Sequence, residues 1–535
     1  MPSPTTCTYE RWPGAARAPL RRPYARHAPE TTLLSQVVAT HLETFLARRA
    51  DDGAFLPRFV ERELRAYLAC GILAHGFARV RCGACGDEKL VAFSCKGRGV
   101  CPSCTGRRMT DTAAHLVDRV LPRTPVRQWV LSFPHRVRFA LARDARLLGE
   151  ALRIFTRAIF AWQRRAARAA GVARACPGAV TFVQRFGSAL QLTPHFHTLV
   201  PDGVFLAPAR DGQRAVFVPL APPHDADVEW VAARVADRVD ALLRRRGGLA
   251  SDADPPTDPL ALALAAAARP PPSAARAVPP LALPAPPRTA RVRGFSLHAD
   301  RAVHENDRDG LERLCRYGLR PPLALDRLHP EPDGRLRYVM KRTFSDGTRA
   351  LVLTPDDLLA RLSALVPPPR VHTVRYHGVF ASAAALRPAV TGQPRRPRRG
   401  RAHAGAAPMP PAPAPPASLP AHVTDVTEAV APTDAANASV TPPAPGRARR
   451  LPWAELLRRV YAVDVLACPC GARAEVIAFV TAPDACVQIL RHLGLPSRPP
   501  PLAPARAPPH DTGLVDDRAH APAYADAVDP IPADD

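Results

Sequence analysis

Leu192-Thr193-Pro194-His195-Phe196-His197-Thr198-Leu199-Val200 is the stretch that decides how the rest of the chain is read. Two histidines flank one apolar residue and run into Thr-Leu-Val, a composition that favours a β-strand. Strand side chains alternate faces, so His195 and His197 point one way while Phe196 points the other way, into a core. Imidazole is the commonest protein metal ligand, and two on one strand face give a divalent cation two donors at fixed spacing. An amphipathic strand whose wet face carries two histidines has the same pattern, so alternation alone leaves both readings open.

Working outward, Ala179-Val180-Thr181-Phe182-Val183-Gln184-Arg185 reads as a second strand. The loop Phe186-Gly187-Ser188-Ala189 returns the chain into the histidine strand, which predicts an antiparallel pair. Gln128-Trp129-Val130-Leu131-Ser132-Phe133 is a further strand, followed by an amphipathic helix over about 144–170, and Asp202-Gly203 turns towards Val204-Phe205-Leu206. This order describes an α+β fold in which an antiparallel sheet has helices on one face and an open second face. His195 and His197 are expected to look out from the open face.

Upstream, helical spacing begins at Leu33, and a second helix is expected at about 57–72. Cys82-Gly83-Ala84-Cys85 and Cys101-Pro102-Ser103-Cys104 then form a CxxC pair with zinc-ribbon spacing. Each knuckle lets two thiolates converge on one ion, and the intervening loop is long enough for the knuckles to meet, which predicts structural zinc on Cys82, Cys85, Cys101 and Cys104. Cys95, between the knuckles, is left over. Lys89, Lys96, Arg98, Arg107 and Arg108 give this region a basic surface that suits phosphates or simply solvent.

The chain of 535 residues is long enough for two or more domains, but 64 prolines and a 6% aromatic share imply that much of it is not packed. A formal net charge of +25 points to a polyanion, with nucleic acid the default partner. Lysine occurs only at Lys89, Lys96 and Lys341, so codon bias accounts for arginine over lysine, though not for 73 basic against 48 acidic residues. No apolar run approaches the ~20 residues of a membrane span, and the N-terminus lacks a secretory core, so a cytoplasmic, nucleoid-associated protein without a membrane partner is expected. There its 12 cysteines are reduced, which favours metal sites over disulfides.

After a Pro/Ala-rich stretch at about 250–290, Asp309-Gly310-Leu311-Glu312 resembles a helix N-cap, and Pro321-Pro322 must end that helix. Leu311, Leu314, Cys315 and Gly318 fall on one side; Arg313, Arg316 and Arg320 fall on another. Tyr317 lies at the border with arginines at i−4 and i+3. Such neighbours would bind a phosphate and favour phenolate over the ordinary pKa of about 10, although a plain boundary tyrosine has the same placement.

With these parts in view, the chain resembles transposases of the insertion-sequence-ninety-one family, the rolling-circle enzymes related to HUH endonucleases. The resemblance covers about 31–385 and 451–495. It rests on Arg98-Gly99-Val100-Cys101-Pro102-Ser103-Cys104, Gln184-Arg185-Phe186-Gly187-Ser188-Ala189-Leu190, Pro194-His195-Phe196-His197-Thr198-Leu199-Val200 and Leu314-Cys315-Arg316-Tyr317-Gly318-Leu319-Arg320-Pro321-Pro322. It implies an HUH-endonuclease-like sheet with covering helices, preceded by a helical zinc-ribbon domain. It also implies a metal-dependent single-strand DNA nickase that binds element ends and duplex targets. His195 and His197 would bind Mg²⁺ or Mn²⁺, Tyr317 would be the nucleophile, and Arg313, Arg316 and Arg320 would be phosphate contacts. Gln184 is the first candidate for a third ligand, with Glu305, Asp307 and His377 behind it.

Two positions depart from the family pattern. Arg313 stands where better-known relatives carry a second tyrosine, which implies a single-tyrosine cycle unless a second protomer or Tyr338 contributes. Cys468-Pro469-Cys470 stands where relatives have a CxxC knuckle, one residue longer, which implies poor metal binding by that unit or none. A plasmid relaxase or replication initiator would share the chemistry, and a non-catalytic zinc-ribbon DNA-binding protein is the reading from another class. The expected organisation is a disordered basic arm (1–30), a helical zinc-binding domain (31–110), a catalytic domain (111–384) containing a disordered insertion at about 250–290, a disordered linker (385–450), a small C-terminal unit (451–495) and a disordered tail (496–535).

Overall fold

In the computed structural model the histidine stretch is a strand, Leu192–Pro201, buried along its whole length. The structure describes residues 28–210, 212–246, 286–341, 348–393 and 463–506, together with Tyr24, Arg26, Ala454, Leu457 and Arg458. The basic arm, the insertion, the linker and the tail expected from composition lie largely outside the described residues. All described residues belong to one unit.

Helices begin where a side chain or a proline suits the first turn, whose amides have no intrahelical partner. Thr32 caps α1 (Leu33–Asp51) by accepting from the Ser35 N–H, and α2 (Arg58–Leu68) follows. A hairpin of β1 (Phe77–Cys82) and β2 (Glu88–Ala92) leads to α3 (Pro102–Arg119), which Cys101 caps and whose first residue is a proline. Beyond β3 (Val126–Ser132) and α4 (His135–Arg143), Asp144 accepts from the Arg146 and Leu147 amides to start the long α5 (Ala145–Ala169). Then come β4 (Gly178–Phe186), the histidine strand β5 (Leu192–Pro201), the hairpin β6 (Gly203–Leu206) and β7 (Val216–Pro219), and α6 (Asp225–Arg245).

After the insertion, β8 (Thr289–Val292), β9 (Phe295–His298) and β10 (Ala302–Val303) precede α7 (Arg308–Gly318). The cap of α7 is Asp307, whose carboxylate accepts from the Gly310 N–H at 2.7 Å, two residues earlier than the Asp309 expected from sequence. The helix also stops at Gly318, before the two prolines. A small sheet of β11 (Leu328–Pro330), β12 (Leu336–Val339) and β13 (Ala350–Leu353), then α8 (Pro355–Leu365), β14 (Val374–Gly378) and α9 (Arg387–Thr391), complete this part. The linker thus starts later than 385, since α9 buries Val390. The C-terminal segment supplies β15 (Ala474–Val480) and α10 (Pro483–His492).

The central antiparallel sheet has the order β14-β4-β5-β3-β9-β8, with β10 also paired to β3. The mixed helical and antiparallel architecture is the expected α+β class, and β4 and β5 pair as predicted. One face of the sheet, carrying Trp129, Leu131, Phe196 and Leu297, packs on α4, α5 and α6. Phe196 meets Phe133 edge-on at 5.2 Å and lies parallel to Phe155 at 6.3 Å.

The other face is not open. Val126, Val180, Phe182 and Leu199 are covered by α3 and α7, through Ala113, Leu116, Leu311 and Leu314. Gly318 makes this cover close: a β-carbon there would sit 2.4 Å from the Phe182 ring. His195 and His197 therefore lie at 9% and 2% exposure, between a sheet and a helix rather than on a wet surface. A third core joins α1, α2 and α8 to the β11–β13 sheet. Among the described residues no helix is long and apolar enough to cross a membrane.

Candidate active site

Strand register assembles the site. Across β4, Gln184 stands opposite His195 and Phe182 opposite His197; across β3, Ser132 and Val130 take the same places. The His195 and His197 rings are 4.9 Å apart. His195 Nδ1 donates to the Thr193 carbonyl at 2.7 Å, and because a carbonyl only accepts, the proton sits on Nδ1 and Nε2 carries a lone pair. His197 Nδ1 lies 3.0 Å from the side-chain amide of Gln128, and its Nε2 is buried with no hydrogen-bond partner. The Gln128 amide nitrogen faces the ring and donates to His197 Nδ1, which leaves the neutral imidazole's proton on Nε2; exchanging the amide oxygen and nitrogen of Gln128 reverses the bond and frees the Nε2 lone pair for a cation. Burial pulls His195 down to about 4 and His197 well below the ordinary imidazole value, so both are neutral at pH 7, the form that binds metal.

Tyr317 comes from the covering helix. Its ring stands edge-on to His197, with centroids 5.5 Å apart. Gln184 ties the two elements together, because its Nε2 donates to the Tyr317 carbonyl at 2.9 Å. That bond fixes the amide orientation and leaves Gln184 Oε1 buried without a partner. With Gln128 in that exchanged orientation, His197 Nε2, Gln184 Oε1 and the lone pair on His195 Nε2 would suit a divalent cation. The other third-ligand candidates are elsewhere: Glu305 is exposed, Asp307 caps α7, and His377 faces Ala179 at the sheet edge. Among the described residues no carboxylate, histidine or thiol completes a set of three with the histidine pair.

The three helix arginines separate in the structure. Arg320 lies over the Tyr317 ring, its guanidinium carbon 4.6 Å from the centroid. Arg316 is bound to Glu312 at 2.7 Å, and Arg313 is exposed, 3.8 Å from Asp307. The helix ends at Gly318, so Arg320 belongs to the turn after it and reaches back over the tyrosine ring. Sequence reading missed two partners. Gln128 was visible only as part of a strand, and Arg185 as the end of one. Arg185 is 7% exposed, with Nη1 donating to Ala142 and with Nε and Nη2 unpartnered; burial pulls its pKa down to about 10. It lines a cavity of about 80 Å³ with Arg98, Arg108, Arg320 and Gln184, and no lining residue is acidic.

The cysteines do not form the predicted ribbon. Cys101 and Cys104 meet Cys70 and Cys95, with all four sulfurs within 4.8 Å of one another. Cys70 to Cys104 is 3.7 Å, Cys70 to Cys101 3.6 Å and Cys95 to Cys104 3.5 Å. A tetrahedral zinc with sulfurs at 2.3 Å needs them roughly 3.8 Å apart. The Cys95 and Gly97 amides donate to the Cys70 and Cys95 sulfurs, as thiolates require. Cys95, left over in the ribbon reading, is thus part of this group, while Cys82 and Cys85 lie with Cys468 and Cys470. Two adjacent CxxC motifs are close in sequence, but β1 and β2 carry the first knuckle to the far end of a hairpin. The signal that could have found this was the count: six cysteines at 70–104 and two at 468–470 make two sets of four.

Two family models match the chain. A transposase zinc-binding domain matches residues 37–133, and a family described as "Putative transposase" matches residues 178–387. The chain belongs to the insertion-sequence-ninety-one transposase family. The first match spans the Cys70, Cys95, Cys101 and Cys104 group and supports structural zinc in this transposase. The second runs from β4 to α9 and contains His195, His197 and Tyr317. DNA binding follows for a transposase, in keeping with its positive charge. No curated protein and no solved structure matches the chain.

Proposed function

We propose that this transposase cuts and rejoins single-stranded DNA at the ends of its element in rolling-circle transposition, through a covalent bond to Tyr317. The observation that carries the reading is the placement of the Tyr317 ring against His197, beside the unpartnered donors His197 Nε2 and Gln184 Oε1. A central antiparallel strand bearing His-x-His under a helix bearing tyrosine is the arrangement an HUH-type nickase requires.

His195, His197 and Gln184 would hold Mg²⁺ or Mn²⁺, which when bound polarises the scissile phosphate. Tyr317 Oη attacks phosphorus in line and gives up its proton; the bond to the 3′ oxygen breaks, and that oxygen leaves as a protonated 3′-hydroxyl. The 5′-phosphate stays on Tyr317. One phosphodiester replaces another, so a second 3′-hydroxyl can attack, rejoin the strand and regenerate the phenol without ATP. Arg320, over the ring, favours the phenolate and offsets charge on the phosphate. Arg185 and the arginine-lined cavity provide a place for a neighbouring backbone phosphate.

The surroundings support a single-tyrosine cycle within one protomer. Arg313 occupies the earlier helix position, and Tyr338 is 2% exposed in the core, where burial raises its pKa. The reading is tested by incubating the protein with Mg²⁺ and labelled single strands spanning the element ends. A DNA adduct that survives denaturant supports it; binding without cleavage on every end sequence would return the protein to a non-catalytic zinc-containing DNA binder.

A further inference from the structure

Cys468 and Cys470 lie outside both matched regions, yet the fold brings them to the first knuckle from 383 positions away. Cys85 Sγ is 3.3 Å from Cys468 Sγ and Cys82 Sγ is 3.6 Å from Cys470 Sγ, with all four sulfurs within 4.8 Å. These separations are too long for disulfides, whose sulfurs sit about 2.05 Å apart, and near the roughly 3.8 Å of a tetrahedral thiolate zinc centre.

Both knuckles are built for it. The Ala84 and Cys85 amides donate to Cys82, and Gly86 turns the chain at φ 78°. On the other side, Cys468 N–H donates to Ala472 O and Gly471 N–H to Cys468 O, with Gly471 at φ 88°. The hairpin turn therefore points both thiols the same way although only one residue separates them.

The C-terminal segment has little else to hold it. β15 pairs with β1 from Phe77–Val480 to Cys82–Ala474, but Val476, Ile477 and Phe479 are exposed. Among the described residues its buried apolar side chains are few: Val465, Cys468 and Ala474 near the knuckle and Cys486 and Leu490 of α10. So thin a core is the situation in which a structural metal contributes folding energy outright.

We propose that Cys82, Cys85, Cys468 and Cys470 bind a zinc ion that clasps the C-terminal segment to the N-terminal sheet, as a second centre beside Cys70, Cys95, Cys101 and Cys104. The clasp is independent of the DNA chemistry. It makes the described unit a closed loop, with the whole histidine and tyrosine region strung between the two halves of one metal site.

The test is zinc content by mass spectrometry of the full-length protein, with limited trypsin digestion as a second readout. The wild type should hold two equivalents, and Cys468→Ser/Cys470→Ser should lose one and be cut faster after Arg473. Cys470→His, which keeps a zinc ligand, should restore both the second equivalent and the protection, which a merely misfolded hairpin would not. Unchanged zinc content in the double serine variant overturns the clasp, as does a histidine variant that stays at the lower count.

Discussion

The Tyr317 ring meets the His197 imidazole edge-on at 84°, and the backbone carbonyl of the same tyrosine accepts from Gln184, the cross-strand neighbour of His195. Helix and strand are thus held in register by the residues that would do the chemistry. The placement of the phenol depends on how closely α7 lies on the sheet.

Gly318 controls that distance. In an ordinary helix interior Gly→Ala stabilises by about 0.5–1 kcal/mol. Here the new methyl would lie 2.4 Å from Phe182, a buried ring that would have to shift to admit it. Overpacking costs about 1–3 kcal/mol, so the balance is destabilising. Urea unfolding of Gly318→Ala should show lower stability, and DNA cleavage should fall further than stability alone explains; a more stable, fully active variant would disprove the close packing.

Gln128 contacts a His197 ring nitrogen from β3. Removing such an outer partner weakens metal affinity by about 10–100-fold. Gln128→Leu should show a loss of this size in Mn²⁺ titrations while its melting curve stays close to wild type. Undiminished Mn²⁺ affinity would mean that Gln128 does not orient a metal-binding His197.

The arginines should divide as their contacts do. For single strands each phosphate contact adds about 0.7 to the slope of log affinity against log salt. Arg320→Gln should lower the slope by about one such step. Arg313→Gln, exposed and near Asp307, should leave it unchanged. Anisotropy titrations with a labelled oligonucleotide at several salt concentrations distinguish the two; equal effects would remove Arg320 from the phosphate path.

Much of the site was legible because it is local. Alternation placed His195 and His197 on one side of β5, and the Phe186–Ala189 loop gave its pairing with β4. Helical spacing put Tyr317 beside the apolar stripe of α7. What was not legible depends on which faces meet. An amphipathic helix announces that it will be covered but not by what, so α3 and α7 closing over the histidines could not be read from Leu116 or Leu311. The cysteines failed for the same reason: adjacency in sequence favoured pairing Cys82 and Cys85 with Cys101 and Cys104, while tertiary pairing of β1 with β15 brought in residues from the far end.

The most direct test of the central claim is to locate the bond between protein and DNA. After reaction with Mg²⁺ and a single-stranded element end, the adduct is digested and the nucleotide-linked peptide sequenced by mass spectrometry. The account predicts a 5′-phosphate on Tyr317 and no adduct from Tyr317→Phe, with DNA binding retained by that variant. A nucleotide on another residue, or an adduct that persists in Tyr317→Phe, would contradict it.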